Sequence, residues 1–294
     1  MKSQFTARPQ GSNPPIGKCA LCDAENIALH ESHSIPKFVY QWIKETSATP
    51  YFRSADNVNV REQDGPKEHL LCGTCEGELS LLEKEFAENL FKKIANYRWQ
   101  AKEIEITEGM RVTVLSIFWR TLLTTQHREN KRTAEDNVVL QQFLSSAKQQ
   151  IKERAVTMPI HITPFIGDPP LYGFPTELTY LFHRMVGDQD ICFFDDPHRY
   201  YAVFKLPFMF FHIRSPEWGT NLDPESSFSG KLKLDKIKHL PSFLEDHIYW
   251  LAQNFNEALR EVTQQSIDII ERDLAKENRI TGAHKSMAAS IRNK

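Results

Sequence analysis

Two cysteine pairs constrain this chain more than anything else in it. Cys19-Ala-Leu-Cys22 and Cys72-Gly-Thr-Cys75 each hold two intervening residues. That spacing lets a tight turn aim two thiolates at one metal from one side. Two such turns complete a four-sulfur tetrahedral shell, the closed arrangement of a structural zinc site. Cys192 is the fifth cysteine and stands outside this scheme, as a small buried hydrophobe in a strand. Nothing at the N-terminus reads as a signal peptide, so a cytoplasmic chain with metal-bound thiols is expected rather than a disulfide framework.

The segment between the pairs carries Ser32-His33-Ser34-Ile35-Pro36, and the second pair sits in Leu71-Cys72-Gly73-Thr74-Cys75-Glu76. In order and type this resembles the zinc-containing, four-cysteine branch of the HNH endonuclease family, over roughly the first third of the chain. The resemblance implies a ββα-metal finger merged with a treble-clef-like zinc module. It also implies metal-dependent cleavage of phosphodiester bonds in DNA or RNA, with defence against mobile elements as one setting. The implied general base is His33. The implied helix-borne metal position is Glu76, where the family has His or Asn. Ser32 stands where the family has an acid. For the family's middle Asn, the candidates are Asn57, Asn59, Gln63 and Asp64.

The chemistry of such a site needs a base and a divalent cation. A neutral imidazole can take a proton from water near neutral pH. Mg2+ or Mn2+ prefers oxygen ligands. Glu76 supplies one, and Asp64 or Glu83 a second. Glu76, Ser80 and Glu83 fall at i, i+4 and i+7 on one helix face. The alternative is a non-catalytic zinc module that binds nucleic acid or a protein partner. Lys18, Lys37, Lys44, Arg53 and Arg61 serve either reading.

The 294 residues are 40% hydrophobic and 25% charged, the make-up of a globular protein long enough for two domains. The formal net charge of −2 argues mildly against a dedicated nucleic-acid binder, though a local basic patch suffices for binding. No apolar run reaches the length of a membrane span.

The expected fold class is α+β, divided into a zinc-bound module over 1–98 and a mostly helical domain with a small antiparallel sheet over 99–294. Residues 1–17 read as a surface arm. Ile27 to Ser34 reads as an extended segment that delivers His33. Helices are predicted over Pro36–Thr46 and Glu76–Tyr97 from the recurrence of apolar residues at the 3.6 period, over Glu108–His127 from a stretch apolar nearly all round, and over Ala134–Arg154 with a polar face of Gln and Lys. Trp119-Arg120 reads as a core aromatic with a snorkelling guanidinium. Short strands are predicted between 156 and 240, with Asp195-Asp196-Pro197-His198 as a turn; Thr176–Val186 fits helix or strand, and helix is preferred. One long helix follows from Pro241, and 284–294 reads as frayed.

Overall fold

A computed structural model of the chain describes residues 14–54, 57–126, 132–194, 199–218, 224–277 and 280–291. The first arm residues, His127, the turn at 195–198 and the last three residues lie outside the described residues.

The N-terminal region opens with strands β1 (Ile16–Gly17) and β2 (Ile27–His33). Helix α1 (Lys37–Glu45) and the two-residue strands β3 (Phe52–Arg53) and β4 (Arg61–Glu62) follow. Strand β5 (Lys67–Cys72) then runs directly into helix α2 (Gly73–Phe86). The sheet order is β1-β2-β5, with β2 and β5 antiparallel and His33 opposite Lys67. The expected arm therefore ends in a strand, since Ile16 and Gly17 pair with Ala28 and Ile27.

Helix α1 forms where the periodicity predicts it. Pro36 lacks the N–H that a helix entrance leaves unpaired, and Val39 and Ile43 are buried on one face. Helix α2 starts three residues earlier than expected, so Cys75 and Glu76 occupy its first turn. It does not continue unbroken to Tyr97. A π turn at Ala87–Phe91 intervenes, followed by the short helix α3 (Lys92–Ile94). The wide turn shifts the helix face by one residue, and Phe86, Leu90, Phe91 and Ile94 are all fully buried.

Strand β6 (Glu103–Ile106) leads into α4 (Glu108–Thr125), and α5 (Ala134–Glu153) packs beside it. Thr107 caps α4 by accepting from the Met110 N–H, and Thr133 with Asp136 forms a capping box on α5. Helix α4 is buried nearly all round, as its uninterrupted apolar composition predicts.

The later region holds β7 (Ile160–Pro164), α6 (Thr179–Arg184), β8 (Gly187–Phe194), β9 (Arg199–Leu206) and β10 (Met209–Arg214). These strands make the expected small antiparallel sheet, in the order β7-β10-β9-β8. Strand β11 (Gly230–Lys233) pairs with β6 instead. One face of the sheet meets α4, where the rings of Phe118 and Phe204 lie 4.6 Å apart. The other face meets α7 (Ser242–Arg260), where Tyr201 and Phe243 lie 4.7 Å apart.

The single long C-terminal helix expected from the sequence is two helices. After α7 the chain breaks at Glu261–Thr263 and restarts as α8 (Gln264–Lys276), with Thr263 capping the Ser266 N–H. The apolar period runs across the break, which is why it does not show in the pattern. The region expected to be frayed forms α9 (Gly282–Ile291). Small residues let it approach closely: Gly282 lies against the Tyr97 ring, and Ser286 bonds the Tyr97 hydroxyl at 2.9 Å. Among the described residues, no helix is long and apolar enough to cross a membrane.

Candidate metal centre and adjoining site

The two cysteine turns meet because β1 and β2 hold the first against the β5–α2 junction that carries the second. The Ala20 N–H donates to the Leu70 carbonyl across this junction, and the Cys72 N–H donates to Cys19 Sγ at 3.3 Å. The sulfurs of Cys19, Cys22, Cys72 and Cys75 all lie within 4.8 Å of one another. Cys22 and Cys72 Sγ are 3.8 Å apart, far beyond a disulfide bond. A tetrahedron with zinc–sulfur bonds of about 2.3 Å has edges of about 3.8 Å, which the Cys22–Cys72 edge matches.

The thiols of the cluster differ in their surroundings. Burial works against ionisation of Cys19, but backbone N–H groups of Cys22, Cys72 and Leu21 bring its thiol down to about 7. Burial first, and then the neighbouring sulfurs, push the Cys75 thiol far up. A bound divalent ion supplies the charge that would let all four ionise together. The cluster could hold a metal ion such as zinc, and its four sulfurs leave no open coordination position.

Beside this centre, the end of β2 and the first turn of α2 bring Ser32 and Glu76 together. Ser32 is fully buried and donates to Glu76 Oε2 at 2.7 Å. The next residue, His33, turns its ring toward the loop between β4 and β5. Its Nε2 lies 2.8 Å from Asp64 Oδ1. The other Asp64 oxygen pairs with Lys67 Nζ at 2.7 Å. Against the cost of partial burial, the Lys67 ammonium and the His33 ring hold the Asp64 carboxyl down to about 2. Of the four candidates for the family's middle Asn, Asp64 is the one that reaches His33. Lys67 has a visible signal in the sequence, its i+3 spacing from Asp64, but nothing there ties either residue to His33.

Glu83 faces elsewhere. Its Oε1 accepts from Arg120 Nη2 at 2.6 Å. Arg120 is 1% exposed, which corrects the snorkelling reading: its guanidinium ends on a carboxylate inside the protein, not in water. Cys192 is likewise only half-buried, with its Sγ 3.9 Å from Asp190 Oδ2.

The basic residues near the module are mostly engaged in holding it. Lys44 donates to the Gln63 carbonyl at 2.7 Å, and Arg53 to the Val58 carbonyl at 2.6 Å. Arg61 lies over the Tyr51 ring, Lys18 is 3.5 Å from Asp23, and Lys37 is exposed. No family model, curated protein or solved structure matches the chain.

Proposed function

We propose that the chain is a divalent-cation-dependent nuclease of HNH-like design, with the zinc–cysteine module as scaffold and His33 as general base. The observation that carries this reading is the His33–Asp64 pair, set one residue along β2 from the Ser32–Glu76 contact. With its Nε2–H donated to Asp64, the imidazole is fixed as the tautomer whose Nδ1 lone pair can accept a proton from water. Lys67 keeps Asp64 itself ionised. In this reading Glu76 is assigned as the carboxylate ligand of Mg2+ or Mn2+, both of which favour oxygen donors. Such a cation, when bound, stabilises charge developing on the phosphate and the leaving oxygen. Glu83, committed to Arg120, is not assigned to it. One protein carboxylate suits magnesium, which keeps several waters and takes further ligands from phosphate.

A second reading rests on one observation. Ser32 and Glu76 satisfy each other without a cation, as in a non-catalytic zinc module that binds nucleic acid or protein. Cleavage of plasmid and single-stranded substrates with each cation separates the two. His33→Ala is expected to lower the rate by about 10²–10⁴-fold with zinc content and melting temperature retained. Equal cleavage by both proteins rules out the base assignment. Nucleic-acid binding without cleavage by wild type selects the second reading.

A further inference from the structure

The loop that carries Asp64 is clipped to the C-terminal helices through Asn59, and we propose that Asn59 is a positioning residue for His33. This inference rests on the nuclease reading above. The loop is long and polar, and residues 57–62 are exposed or half-buried. A loop of that composition has little apolar contact to set its path. Yet it delivers Asp64 Oδ1 to 2.8 Å from His33 Nε2.

Its near end is set by Gly65. A Cβ there would fall 2.0 Å from the Tyr40 ring, so only glycine lets the backbone pass. Asp64 Oδ1 also accepts from the Gly65 N–H at 3.0 Å, which couples the carboxylate to that backbone.

Its far end is set by Asn59, which plugs the break between α7 and α8. Asn59 Oδ1 accepts from the Thr263 N–H at 2.9 Å, from Thr263 Oγ1 at 3.1 Å and from Ser266 Oγ at 2.9 Å. Its Nδ2 donates to the Glu261 carbonyl at 3.0 Å. The amide thereby meets both the last turn of one helix and the first turn of the next. Two neighbours extend the clip. Arg53 Nη1 donates to Ser266 Oγ at 3.3 Å, and the Tyr51 hydroxyl donates to Asp273 Oδ2 at 2.9 Å. Ser266 and Asp273 are seven residues apart and share one stripe of α8. Ser266 is the one buried residue of α8. Helix α8 thus meets the loop through a polar stripe, and displacement of α8 moves the strand of chain that ends in Asp64.

A plain cap for α8 would use the same bonds, so the test must read the site as well as the fold. Cleavage is measured in single turnover for Asn59→Ala, Asn59→Asp, Asp64→Ala and the Asn59→Ala/Asp64→Ala double variant of the full chain. Zinc content and melting temperature are followed alongside. Asn59→Ala is expected to lose about 10²-fold in rate, the scale of a misplacement of about 1 Å. Asn59→Asp keeps the three accepted bonds and is expected to stay within about tenfold of wild type. On the Asp64→Ala background, Asn59→Ala is expected to cost nothing further, because its effect runs through Asp64. Wild-type cleavage by Asn59→Ala, or a loss that adds fully to that of Asp64→Ala, overturns the proposal. If wild type cleaves nothing, the nuclease reading falls but the clip is still tested by amide hydrogen exchange. Faster exchange at Gly65 in Asn59→Ala supports the clip, and unchanged exchange overturns it.

Discussion

His161, His183 and His212 are buried histidines held neutral by their surroundings. Burial, and then the Arg214 charge, brings His161 down to about 4. Burial, then Lys205 and Arg184, brings His183 down to about 3, and His212 is likewise far below its ordinary value. In the unfolded chain these rings titrate near 6.5, so below that pH the unfolded state takes up protons that the folded state refuses. Their stabilising contribution is complete above about 6.5 and falls as pH drops toward 4, continuing toward 3 for His183. The urea midpoint is therefore expected to fall between pH 7.5 and pH 5, and a midpoint flat over that interval contradicts it. Residue-level legibility follows the same physics. The four cysteines announce themselves because metal chemistry fixes their spacing. Asp64 could not be chosen among its neighbours, because contacts from α1 that hold its loop, the Tyr40 ring against Gly65 and Lys44 on the Gln63 carbonyl, leave no local trace in the sequence.

At the scale of elements, α2 carries Cys75 of the four-cysteine cluster, Glu76 and Glu83, and α4 anchors it to the core. The anchor is the Arg120–Glu83 pair, with Arg120 also donating to the Ser116 carbonyl and hydroxyl from inside the helix packing. Removing one partner of a buried pair leaves the other charge uncompensated. Glu83→Ala is expected to cost about 3 kcal/mol, whereas Arg120→Met with Glu83→Leu costs much less, since apolar side chains of similar size replace the pair. Denaturant titration of both variants checks this, and equal losses would show that packing rather than charge dominates. Periodicity made α1 and α5 readable, because each buries one face at the 3.6 repeat, and α4 was readable from its nearly continuous apolar run. It could not show the π turn after Phe86 or the break before α8, since apolar residues continue through both. Thr263 with Ser266 three residues on was the local cue for the second, a helix N-terminus in the middle of an apolar run.

For the whole molecule, the question is whether the zinc module and the rest unfold as one body. The sequence suggests a division near residue 98. The buried core, however, runs from Cys19 and Cys72 through α2 and α4 to Phe211 and Ile237 without a gap. Phe38 of α1 packs edge-on against Phe91 at 5.2 Å, and Trp42 against Phe208 at 6.2 Å. Arg184 donates to the Ile43 carbonyl at 2.7 Å, and the Ala283 N–H to the Thr46 carbonyl at 2.9 Å, so α6 and α9 seal the end of α1. Losing α1 would strand Arg184, which is buried, and expose the Phe208 turn. Zinc bound only by the folded form stabilises whatever unfolds with its ligands. Calorimetry is therefore expected to give one transition spanning the module and the sheet, moved as a whole to lower temperature by a strong chelator. Two transitions, with only the lower one shifted by the chelator, would instead establish the division that the sequence suggests. The same experiment bears on α8: in a single cooperative body, the loop clipped to it through Asn59 is lost together with the four-cysteine cluster.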